Sequence, residues 1–166
     1  MTIHRVAIVG ISGSGKSVFA RNLAAKLGLP LIHMDTFFWE GKWSAVPEEE
    51  YLEKHAKAIE QDNWIIEGYI DEKMADRARR ADLILYLDYP GYVCAWRVLM
   101  RWLQYRNESR PELPKEAVEP LNLQFLWKVL TRGERKDIKE ALKHVDPPKV
   151  IRLQSPRELN SYLQKL

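Results

Sequence analysis

The sequence predicts an α/β fold, a mostly parallel sheet covered by helices on both faces. Two observations carry that prediction. Short apolar runs suited to buried strands alternate along the whole chain with segments whose apolar residues recur every three or four positions. The first run also leads through a glycine-rich turn straight into a helical pattern, the order of a strand–crossover unit. The 166 residues, 46% hydrophobic and 30% charged, are enough for one domain over 1–166 with a proper core.

Taken in order, residues 3–9 (Ile3 to Val9) form the first strand and the turn over 10–17 follows. Phe19, Leu23 and Leu27 mark a helix that Gly28 and Pro30 stop. Leu29 to His33 read as a second strand ending at Met34-Asp35, and an aromatic segment, 37–43, comes next. Pro47 and three glutamates open a helix whose expected inner face is Leu52, His55, Ala56 and Ile59. Trp64 to Glu67 form a third strand, and Asp71 is placed to cap a short helix to about Arg80. Leu83 to Leu87, nearly all apolar, make a fourth and central strand. Over 91–105 a helix is expected to turn Val98, Leu99, Trp102 and Leu103 inward and Arg97 and Arg101 to another side. Pro111, Pro114 and Pro120 make 106–120 a loop. Two helical patterns follow, Leu123, Leu126, Trp127 and Leu130, then Ile138, Ala141, Leu142 and Val145. Val150 to Leu153 form a fifth strand, and Ser155 with Glu158 is a capping box for the last helix.

The chemistry is concentrated where strands end, because ligands of such sheets bind at the carboxyl ends of the strands. Gly10-Ile11-Ser12-Gly13-Ser14-Gly15-Lys16-Ser17 fits the phosphate-loop pattern, and it sits between a strand and a helix as that motif requires. A loop that wraps a phosphate chain turns its backbone N–H groups inward, and glycine reaches the conformations this needs. The expected nucleotide-binding residues are therefore Gly10, Ser12, Gly13, Ser14, Gly15, Lys16, Ser17 and Val18, with ATP as ligand. Lys16 is placed to reach the β- and γ-phosphates, and the Ser17 hydroxyl to bind Mg²⁺. Glu67, after the third strand, is the expected acidic partner of the metal, acting through its water shell. Asp35 is expected either to bind an acceptor or take its proton, or else simply to cap a helix. Gly68 would let a substrate approach the backbone. The aromatic run, with Trp39, suits an acceptor pocket or equally a flap docked on the core. Arg97 and Arg101, at i and i+4, suit charge on a transferring phosphoryl group. Arg106, Arg110, Arg132 and Arg135 border the proline-rich loop as a lid over about 106–135, with Arg132 chosen as the catalytic one. The four histidines show no metal-ligand spacing, and Cys94 reads as a small buried thiol.

These residues resemble a known family. GISGSGKS at 10–17, His33-Met34-Asp35 with Trp39 and Trp43, the strand end at 64–68, Leu87-Asp88-Tyr89-Pro90, and Arg97, Arg101, Tyr105-Arg106 and Arg110-Pro111 are similar to the DNA topology modulation proteins (FlaR-related). That is a branch of the P-loop kinases near adenylate and shikimate kinases. The resemblance implies a three-layer α/β/α fold with five parallel strands, MgATP, and a lid. It puts Asp35 and Gly68 on the acceptor side, Glu67 on the metal side and the two arginines at the phosphates. The chain departs at 67–69, where the family more often reads Asp-Gly-Asn, so Tyr69 sets a ring against the acceptor. The expected activity is transfer of the γ-phosphoryl of ATP to a nucleotide, nucleoside or other hydroxyl compound. The alternative is an ATP-dependent regulator of DNA topology. A net charge of +3, from 26 basic and 23 acidic residues, shows no concentrated basic face for that role. One cysteine, no apolar run of membrane-spanning length and no leader-like start make a cytoplasmic protein the expectation.

Overall fold

The computed structural model describes residues 3–40, 44–106 and 120–165. The expectations for Trp43, Arg110 and most of the proline-rich loop lie outside these residues. In chain order the elements are β1 (Arg5–Gly10), α1 (Lys16–Leu27), β2 (Leu31–His33), α2 (Asp35–Phe38), β3 (Trp39–Glu40), β4 (Ser44–Ala45), α3 (Glu48–Ile59) and β5 (Trp64–Glu67). They continue with a 3-10 turn (Glu72–Met74), α4 (Ala75–Arg80), β6 (Leu83–Leu87), α5 (Gly91–Tyr105), α6 (Leu123–Leu130), α7 (Arg135–Leu142), a second 3-10 turn (Pro147–Lys149), β7 (Val150–Leu153) and α8 (Pro156–Lys165). No helix among the described residues is long and apolar enough to cross a membrane.

Five strands pair in parallel in the order β2-β5-β1-β6-β7. β1 sits in the middle, and Val6, Ala7, Ile8 and Val9 are wholly buried, which is why it reads as unbroken apolar sequence. From β1 the chain steps outward to β2, then returns across β5 and β6 to β7. Right-handed crossovers therefore put α1 on one face and α3, α4 and α7 on the other. A bond from Lys26 Nζ to the Leu163 carbonyl at 2.7 Å ties α8 beside α1. The result is the three-layer α/β/α sandwich expected from the sequence. The reversal of strand order beside β1 opens a crevice at the carboxyl ends, next to the turn at 10–17.

Three helix faces differ from the sequence expectation. In α3 the buried residues are Tyr51, His55, Ala58 and Ile59, and Ala56 is exposed. Tyr51 is drawn inward by edge-on packing with Phe38 at 5.1 Å, and this rotates the face by one residue. In α5 the inner face is Gly91, Cys94, Ala95 and Val98, and Leu103 is exposed. The small residues win because the helix comes close to its neighbours: a Cβ on Gly91 would overlap the Leu130 carbonyl. In α6, Val129 is buried and Leu123 and Trp127 are exposed, so apolar character there does not mark the core. Phe37 and Phe38 pack against the core, with Phe38 also edge-on to Trp39 at 4.8 Å, so these two rings act as a docked flap.

Candidate active site

The turn at 10–17 is wound tightly on its glycines. Gly10, Gly13 and Gly15 have φ of 159°, 79° and 91°. Gly13 is the tightest of the three. A Cβ there would overlap the Cys94 carbonyl, so the loop can press against α5 only as glycine. Ser14 lies wholly buried beneath the loop, and its N–H closes an internal turn onto the Ile11 carbonyl at 3.2 Å. Ser14 thus shapes the loop from inside, while Val18, more than half exposed, stands on the first turn of α1. Lys16 Nζ donates to the carbonyls of Gly10 and Ile11 at 2.9 and 3.1 Å, so the loop's cation curls back over its own rim.

Ser17 and Glu67 meet at the lip of this loop. Glu67 is 2% exposed at the tip of β5, one strand from β1, and the Ser17 hydroxyl is near enough to its carboxylate to favour the charged form. Burial alone would push the Glu67 carboxyl up. The His33 hydrogen bond, the Lys16 charge and the Ser17 hydroxyl outweigh it and hold the group below its ordinary value. His33 Nδ1 lies 2.6 Å from Glu67 Oε1, reaching across from β2, the neighbouring strand. A hydroxyl and a carboxylate are the hard oxygen donors magnesium takes, and Lys16 beside them supplies the cation a phosphate chain needs. The residues present therefore fit MgATP. His33 carries no motif of its own. Its partner became visible only once β2 and β5 were known to be adjacent.

Asp35 opens α2 two residues beyond His33, with Met34 and not Asp35 as the residue before the helix. Met34 is buried against Gly68: a Cβ on Gly68, whose φ is 145°, would stand 2.7 Å from Met34 Cβ. Gly68 is therefore glycine because the two strand ends close on each other there. The Tyr69 hydroxyl donates to Asp137 Oδ2 at 2.9 Å, tying this turn to α7. Trp39 is half-buried at the edge of the same region. Beneath it lies Arg77, wholly buried, whose Nη2 donates to the Tyr69 carbonyl at 2.6 Å and the Gly68 carbonyl at 3.4 Å. Burial pulls the Arg77 guanidinium down to about 10. Reading the sequence missed Arg77, because nothing distinguishes it from the solvated Arg79 and Arg80.

The arginines are held by contacts that the sequence did not foretell. Arg97 Nη1 donates to the Ser14 carbonyl at 3.0 Å and its guanidinium lies 5.4 Å over the Tyr89 ring, so it braces the back of the loop. Arg101, half-buried, stands one turn further along the same side of α5. Arg132, expected over the triphosphate, is turned onto Asp88. It meets Arg135 there, with Nε at 3.0 Å and Nη2 at 2.9 Å, and Arg152, with Nε at 2.7 Å. The Asp88 side chain is 1% exposed. Burial would raise its pKa, but the bonds from Arg135, Arg152 and Arg132 hold it well below the usual carboxylate range. Arg132 also adopts φ 58°, a left-handed conformation that is uncommon outside glycine. Cys94 is buried, and burial pushes its thiol up to about 11, so it stays protonated.

No family model matches the chain. A cytidylate kinase of Pyrobaculum aerophilum is 33% identical over 93 residues, which cover 56% of this chain and 46% of that protein. The match thus spans about half the length of the curated relative. Among solved structures, a shikimate kinase from Bacteroides thetaiotaomicron superposes with a TM-score of 0.59 at 16% identity, covering 98% of this chain and 96% of the other. The YorR protein of Bacillus subtilis, in complex with phosphorylated GDP, superposes with a TM-score of 0.62 at 15% identity, covering 96% and 91%. The fold is that of the P-loop kinases.

Proposed function

We propose that this chain is a P-loop small-molecule kinase, which moves the γ-phosphoryl group of ATP to a small acceptor. One observation carries the reading: Ser17, Glu67 and His33, from three separate parts of the chain, come together beside Lys16 at the loop's lip, with Asp35 on the next turn. The partial match to a cytidylate kinase supports the same class.

In this reading Lys16 leaves the Gly10 and Ile11 carbonyls to meet the phosphates, and the N-terminal end of α1 adds its dipole. Ser17 and Glu67 hold the magnesium ion, which when bound neutralises charge on the transferred group. His33 keeps the Glu67 carboxylate oriented and ionised. Arg97 holds the loop's outer wall through the Ser14 carbonyl, and Arg101 stands beside it. Asp35 takes the proton of the acceptor hydroxyl, and Trp39, Gly68 and Tyr69 surround the acceptor. The protein's contribution is positioning and charge, with no covalent work of its own. The motif residues at 33–35, 64–68 and 87–90 support the topology-modulation branch within this class, and a cytoplasmic setting belongs to the same proposal.

The test is ADP release from MgATP with and without nucleoside monophosphates, nucleosides and small hydroxy acids. Stimulation by one acceptor, abolished in Lys16→Ala, is the expected result. Absence of stimulation, together with salt-sensitive binding to duplex DNA, would replace it by the regulator reading.

A further inference from the structure

Between α6 and α7 the chain presents an anion to the phosphate loop. The Ser12 N–H donates to Glu134 Oε2 at 2.8 Å, and the Ser12 hydroxyl donates to Oε1 and Oε2 at 3.1 and 3.2 Å. Glu134 is 8% exposed and lies 122 residues from Ser12 in sequence. A carboxylate oxygen on a backbone N–H of such a loop has the charge and the acceptor geometry of a phosphate oxygen. Arg132 and Arg135, on either side of it in sequence, are committed to Asp88, while Lys128 forms a long ion pair with it, Nζ to Oε1 at 3.8 Å. Lys16 meanwhile is satisfied by the loop's own carbonyls. Donor and cation of the loop are both occupied from within.

We propose that Glu134 is a positioning residue that senses the terminal phosphate of the nucleotide. It occupies the Ser12 end of the loop until a γ-phosphate displaces it. On this proposal the γ-phosphate takes the Ser12 end of the loop and the inner phosphates lie toward the N–H groups at the start of α1. ADP therefore leaves Glu134 seated, and ATP expels it by like charge and by competition for the Ser12 N–H. Because Glu134 stands between Arg132 and Arg135, its departure loosens the segment that carries both arginines. The inference rests on the ATP-binding reading above.

Calorimetry with ATP and ADP, combined with hydrogen exchange over 128–138, tests it on the full chain. In Glu134→Gln, ATP is expected to bind about tenfold tighter, with ADP changed less than threefold. In the unmodified chain, ATP and not ADP should speed exchange in this segment, and in the variant exchange should already be fast without nucleotide. Glu134→Asp keeps the charge on a shorter stem and should fall between the two. Equal affinities in both chains, or equal tightening for ATP and ADP, would overturn the assignment of Glu134. If the unmodified chain binds neither nucleotide, the kinase reading itself fails.

Discussion

The two sides of the cleft at the strand tips are made of different materials. On the phosphate side the contacts run through the backbone and through saturated ion pairs: glycines at positive φ, Lys16 and Arg97 on carbonyls, and three guanidinium groups on Asp88. On the acceptor side, Arg77 is wholly buried, and among the described residues its hydrogen-bond partners are the Gly68 and Tyr69 carbonyls. Its Nε and Nη1, and Nε2 of the buried His55 nearby, have no hydrogen-bond partner among the described residues. One side gathers three cations on a shared carboxylate, though Ser14 Oγ and Arg132 Nε lack partners there among the described residues, and the other buries a cation that Glu67 and Asp71 offset only through space. The difference teaches where each half draws its order: the phosphate side from glycine geometry and a shared ion cluster, the acceptor side from packing that overrides an electrostatic cost.

The sharpest way to break this contrast is Asp88→Asn. It leaves Arg132, Arg135 and Arg152 facing one another without their shared counter-charge. Removing one partner of a buried ion pair costs about 3 kcal/mol, since these arginines keep some contact with water. Urea unfolding at pH 7 should show the loss, and a change under 1 kcal/mol would mean the cluster is held mainly by packing. A second comparison sets two glycines against each other. Gly13→Ala, at φ 79° and against the Cys94 carbonyl, should weaken ATP about hundredfold, the strain of about 2–3 kcal/mol expected at such a position. Gly68→Ala, pressed against Met34, should spare ATP affinity and remove acceptor turnover. Calorimetry for one and steady-state kinetics for the other would separate the two halves.

The same contrast explains what the sequence made legible. The phosphate loop announces itself because its backbone requires glycine at fixed positions, and strand ends such as Glu67 and Gly68 follow once the strands are found. Asp88 also stood at a strand end, but Arg135 and Arg152 converge on it only through the pairing of β6 with β7 and the seating of α7. Arg132 belongs to the same sequence stretch as the expected lid, and its left-handed backbone and its contact with Asp88 appear only in the folded chain. His33, Arg77 and Glu134 owe their roles to neighbours 34, 8 and 122 residues away, and no local spacing encodes those contacts.

Acid tests the acceptor side specifically. Burial, with the nearby Arg77 charge, pulls the His55 imidazole down to about 4 from 6.5. Between those values the unfolded chain binds a proton that the folded chain refuses, so stability falls as pH drops below 6.5 and rises again with pH. The effect is about 2 kcal/mol at pH 5. His55→Leu should flatten the stability profile between pH 6.5 and 5, measured by urea unfolding at each pH, while Asp88 stays ionised throughout that window. An unchanged acid limb in the variant would assign the loss to other groups.

The smallest effect on stability is expected from Arg77→Met, and it is the most telling. Removing a buried, hydrogen-bonded charge ordinarily destabilises, yet Arg77 has no carboxylate partner in contact, and burial has already drawn its pKa down to about 10. Methionine fills much of the same space without the desolvation cost, so the net change should stay within about 1 kcal/mol. The carbonyls of Gly68 and Tyr69 lose their donor, and the turn that carries the acceptor side is freed to shift. KM for the acceptor should therefore rise about tenfold, with ATP affinity unchanged and Arg77→Lys recovering part of the loss. If melting drops by as much as for Asp88→Asn, Arg77 is a structural keystone, and the two sides of the cleft are built alike after all.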